Sequence, residues 1–63
     1  MKYLNFMPVW RKRAKLSQWE LAQVLKIDRT LISEWETGKK LPPIEIREKI
    51  AEILQQPLER VFP

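Results

Sequence analysis

Two helix-start signals, Ser17-Gln-Trp-Glu20 and Asp28, stand so near each other that the chain between them has to turn a very tight corner. Ser17 and Glu20 have the spacing of a capping box, in which the hydroxyl accepts from the backbone N–H at the third helical position while the carboxylate reaches back. Asp28 is a strong helix N-cap in its own right. The second helix, with Leu21, Ala22 and Leu25 as its apolar stripe, therefore hands over to the third with only Lys26 and Ile27 between them. In the third helix Arg29, Thr30, Ser33, Glu34 and Thr37 fall within about 140° of arc, and Leu31, Ile32 and Trp35 cluster opposite. One face suits a core and the other suits something wet.

The remaining segments extend the helical pattern. Asn5 can cap a first helix that carries Pro8 in its opening turn, where the missing N–H is not needed, and that ends near Lys15; Phe6 and Trp10 share one of its faces. Gly38 fits the left-handed residue that closes the third helix. Pro42-Pro43 delays a fourth helix until about Ile44, leaving a loop that carries Lys39 and Lys40. Ile46, Ile50, Ile53 and Leu54 form a stripe on that helix, and Pro57 opens a short fifth turn with Leu58, Val61 and Phe62 at helical spacing. The expected fold is all-α, a compact bundle of five short helices, with residues 1–63 as a single domain.

Composition narrows the function. The chain has 63 residues, one Gly, no Cys and no His, so neither a disulfide framework nor an ordinary zinc site is available, and no cofactor or metal is expected. A hydrophobic content of 44% must supply stability through packing. No pair of groups suited to acid/base or nucleophilic work converges, so no catalytic residue is named and an enzyme is not expected. No apolar run approaches the roughly 20 residues that span a membrane, nor is there a signal-peptide stretch; the chain is expected to be soluble and unprocessed. Twelve Lys plus Arg against eight Asp plus Glu give net charge +4, a balance that favours a polyanionic partner.

Leu16-Ser-Gln-Trp-Glu-Leu-Ala through Glu36-Thr-Gly-Lys-Lys-Leu-Pro42 resembles the Cro and phage-repressor family of bacterial helix-turn-helix domains, also called xenobiotic-response-element-type regulators, whose fold is lambda-repressor-like. Gln18, the small Ala22, the apolar Ile27, the core pair Ile32 and Trp35, and the closing Glu36, Gly38 and Lys39 match its motif. Lys26 departs from it, standing where a left-handed glycine is usual, as does Arg47 at a position that is commonly apolar.

The resemblance implies sequence-specific binding of double-stranded DNA, with the helix at about 28–37 in the major groove of a near-palindromic operator. It implies a transcriptional repressor or similar regulator in a bacterial or phage-type cytoplasm, associated with the nucleoid when bound, without a small-molecule substrate. Arg29, Thr30, Ser33 and Glu34 are the expected base readers. Glu34 can accept from cytosine N4 or hold phosphate away, and capping suffices to explain Asp28. Gln18, Thr37, Lys39 and Lys40 are expected on phosphates. Arg11 is implied to pair with Glu36, and Lys12, Arg13 and Lys15 to steer diffusely. The resemblance further implies a homodimer on DNA, with Leu58, Val61 and Phe62 as its contact. The alternative is a protein-interaction module or antitoxin of the same fold, to which exposed Trp19 and the apolar tail would be suited; Trp19 otherwise covers its own domain's edge.

Overall fold

A computed structural model describes residues 2–63. Its five helices run in the expected order: α1 Met7–Arg13, α2 Gln18–Leu25, α3 Arg29–Glu36, α4 Ile44–Leu54 and α5 Leu58–Val61. There is no strand among the described residues. Met7, Leu21, Ala22, Ile32, Trp35, Ile50, Ala51, Leu54, Val61 and Phe62 form the core, so every helix contributes to it. Trp10, Leu25, Leu31, Ile46, Ile53 and Leu58 pack around that centre. Trp10 lies at its edge, with the indole N–H donating to Arg60 O at 3.2 Å.

The helix starts are built as their residues require. Ser17 Oγ accepts from Glu20 N at 3.0 Å while Glu20 Oε1 accepts from Ser17 N at 2.8 Å, completing the capping box. Asp28 Oδ1 accepts from Thr30 N at 2.7 Å. Asn5 acts one residue outside its expected place: Phe6 occupies the N-cap of α1, and Asn5 Oδ1 still accepts from Met7 N at 3.0 Å.

The helix ends share one device. After α1, α2, α3 and α4 a single residue turns left-handed: Lys15 (φ 60°), Lys26 (φ 57°), Gly38 (φ 79°) and Gln55 (φ 56°). The following N–H then reaches back into the helix, Leu16 to Arg11 O, Ile27 to Ala22 O, Lys39 to Glu34 O and Gln56 to Ala51 O, at 3.0–3.1 Å. Lys26 thus keeps the geometry usual for glycine in this turn. α1 itself ends at Arg13, before the expected Lys15, because Lys15 is the residue that turns.

Val61 is fully buried and Phe62 is 9% exposed, both inside the chain's own core, with Leu58 packed against it. In so small a bundle the closing turn covers α4, so Val61 and Phe62 serve the chain's own core while Leu58 stays half-buried beside it. Arg47 resolves its own oddity: it is half-buried, and its Nε donates to Pro42 O at 3.0 Å.

Candidate nucleic-acid interface

The tight corner at Lys26–Asp28 aims α3 with its polar face outward. Arg29 and Thr30 are exposed at its N-terminal end, Ser33 and Glu34 are half-buried one turn on, and Thr37 is exposed at its close. The expected base readers therefore lie on one face, beneath which Ile32 and Trp35 anchor the helix. Thr37 spends its hydroxyl on the helix, donating toward Ser33 O at 3.0 Å and Glu34 O at 3.1 Å. Lys39 and Lys40 are exposed just beyond Gly38. Lys40 Nζ lies 3.8 Å from Glu34 Oε1, an exposed pairing of little worth to stability that a phosphate could replace.

A chain of polar contacts runs from the interior to this face. Arg11 is 9% exposed; its Nε donates to Glu36 Oε2 at 2.6 Å and its Nη2 to Glu36 Oε1 at 3.3 Å. Its Nη1 donates to Leu16 O at 2.8 Å, so the guanidinium is well satisfied. Glu36 Oε1 also accepts from Gln18 Nε2 at 2.9 Å, and Gln18 Oε1 accepts from Arg29 Nη1 at 3.2 Å. The buried ion pair joins α1 to α3, and Gln18 carries the connection from α2 to the first exposed side chain of α3. The family resemblance implied the Arg11–Glu36 pair and a phosphate role for Gln18 separately. It carried no signal that they are wired together, because amide orientation is a tertiary outcome.

Charge at the two caps is fixed by local geometry. Glu20 is held below its ordinary carboxylate pKa by the backbone N–H of Ser17 and then by the Ser17 hydroxyl. Asp28 is held below its own by the backbone N–H of Thr30, then by the Thr30 side chain, with Arg29 adding a smaller Coulombic contribution. Asp28 is thus committed as an ionised cap.

Among the described residues there is no cluster of carboxylates able to hold a metal ion, and no helix is long and apolar enough to cross a membrane. The exposed run Lys12, Arg13 and Lys15 remains on the surface, with the Arg13 guanidinium 5.4 Å from the Trp10 ring centroid. Trp19 is 58% exposed on α2.

No curated protein has a sequence that matches this chain. A family model described as helix-turn-helix matches residues 10–61, the stretch that holds all five helices except the start of α1. With its tight α2–α3 corner, its outward polar α3 and this match, the chain belongs to the Cro/C1-type helix-turn-helix family of DNA-binding domains.

Proposed function

We propose that this chain is a transcriptional repressor module that reads a specific sequence in double-stranded DNA by placing α3 in the major groove. The observation that carries the reading is Arg29, which stands exposed at the N-terminal end of α3 with Nη1 held by Gln18 Oε1. A guanidinium so placed can pair with guanine O6 and N7. Thr30, Ser33 and Glu34 extend the reading face, while Gln18, Lys39 and Lys40 flank it for phosphates, joined by Thr37 when its hydroxyl turns away from the Ser33 and Glu34 carbonyls. Two copies bind inverted half-sites of a near-palindromic operator. The work is done in a cytoplasm of bacterial or phage type, without a cofactor or small-molecule substrate.

Selection from a randomised duplex pool, at stated salt, tests this directly. Arg29→Ala is expected to cost about 1–3 kcal/mol and to relax preference at one base position per half-site. Lys40→Ala is expected to weaken all sequences alike and to lower the salt dependence. Unchanged base preferences for Arg29→Ala, or a changed motif for Lys40→Ala, would remove α3 from the groove. The second reading, a protein-interaction module or antitoxin, is favoured by the exposed Trp19 indole, and it gains if the parent protein enriches no motif.

A further inference from the structure

The segment before Trp10 lies outside the family match, yet it is fastened to the recognition helix. Tyr3 N donates to Gly38 O at 2.9 Å, Asn5 Nδ2 to Trp35 O at 2.8 Å, and Phe6 N to Val61 O at 2.8 Å. An extended arm is thereby laid across the C-terminal end of α3. Gly38 is its seat: a Cβ there would stand 2.5 Å from Tyr3 O and 3.3 Å from the Cβ of Lys2. The bare Cα lets the two backbones close, and it brings Lys2 and Tyr3 beside the loop that presents Lys39 and Lys40. Both arm residues are exposed, Tyr3 by 49%. Lys2 has no ion-pair partner among the described residues, whereas the charge of Lys40 is shared with Glu34 at 3.8 Å.

We infer that this arm is part of the DNA-binding surface, with the Lys2 ammonium and the Tyr3 hydroxyl meeting the phosphodiester backbone next to the phosphates held by Lys39 and Lys40. The inference rests on the DNA reading above and adds residues to that site. Docking on Gly38 means that the arm is ordered before DNA arrives, so its contacts need little further loss of chain entropy. Backbone contacts carry no base information. The arm therefore adds affinity without narrowing the sequence that is bound.

The test is the salt dependence of affinity for a duplex enriched by the parent protein. Lys2→Ala removes the charged end of an exposed side chain while keeping the Cβ that lies beside Gly38, and it is expected to reduce the slope of log affinity against log salt by about 0.9, with base preferences unchanged. Lys2→Arg is expected to keep the parental slope. Lys49→Ala, the same charge loss on α4, is also expected to keep it. Tyr3→Phe is expected to weaken every sequence alike by about two- to ten-fold, the ratio that one net hydrogen bond supplies. A parental slope for Lys2→Ala, or an equal drop for Lys49→Ala, overturns the arm contact while leaving the DNA reading intact. Parental affinity for Tyr3→Phe removes the hydroxyl from the contact. A parent protein that binds no duplex at any salt overturns both readings together.

Discussion

Arg11 and Glu36 place a full charge pair where water hardly reaches, with side chains 11% and 7% exposed. Such a pair is not automatically stabilising against an apolar replacement, but removing one partner strands the other. Arg11→Met is therefore expected to lower stability by about 3–5 kcal/mol, and Arg11→Met with Glu36→Leu to recover much of the loss. Recovery should stay incomplete, because Leu16 O and Gln18 Nε2 each lose a partner in the double variant. Urea denaturation of the two single variants and the double variant checks this; purely additive losses would show that the two groups act independently. The pair was foreseeable from the family pattern, whereas its extension through Gln18 to Arg29 was not, because side-chain amides at helix starts face water or a neighbour according to what the fold brings alongside.

At the scale of the helices, starts were far more legible than ends. Ser17, Asp28 and the prolines at 42, 43 and 57 announce where helices begin, since each acts through its own side chain or ring. Ends depend on one residue turning left-handed, and sequence marks that turn clearly only where the residue is Gly. Here Lys15, Lys26 and Gln55 adopt it without glycine, each at a chirality cost of about 1–2 kcal/mol. Lys15→Gly, Lys26→Gly and Gln55→Gly are each expected to raise stability by about 0.5–1 kcal/mol, the gain being offset in part by the greater freedom of glycine in the unfolded chain. Gly38→Ala is expected to do the opposite and by more, since it adds the same strain and drives a methyl group against Tyr3 O. Thermal melts of the four variants rank these effects. The caps also set the acid limb of stability. Glu20 and Asp28 both have folded-state pKa values below their ordinary ones, so their contribution is complete above the ordinary carboxylate range and is lost as pH falls through the lowered values. Asp28→Asn and Glu20→Gln should each flatten the decline in stability measured below about pH 5.

For the molecule as a whole, size bears on the proposed sharing of an operator by two copies. The Cα envelope measures 27 × 23 × 20 Å, while half-sites one helical turn apart are separated by about 34–36 Å. Neighbouring copies would then meet only through side chains that project beyond their envelopes, and the last turn is already spent on the core through Val61 and Phe62. The free protein is therefore expected to sediment as a monomer, and an inverted pair of half-sites to be protected together in footprinting. A footprint confined to a single half-site, with no gain from adding the inverted copy, would exclude paired binding. The arm at residues 2–6 was invisible to periodicity because it forms no regular element; its anchor is Gly38, whose need for a bare Cα is tertiary. Exposure along the Arg11–Glu36–Gln18–Arg29 chain rises from a buried end to an open one. On the proposed reading, fold and address are thereby uncoupled: loss of one inner partner is expected to cost stability, while the outer residue can be exchanged with water taking its place at Gln18. If α3 reads DNA as proposed, a domain wired in this way is expected to be retargeted to a different operator by changing α3 from the outside, without being rebuilt.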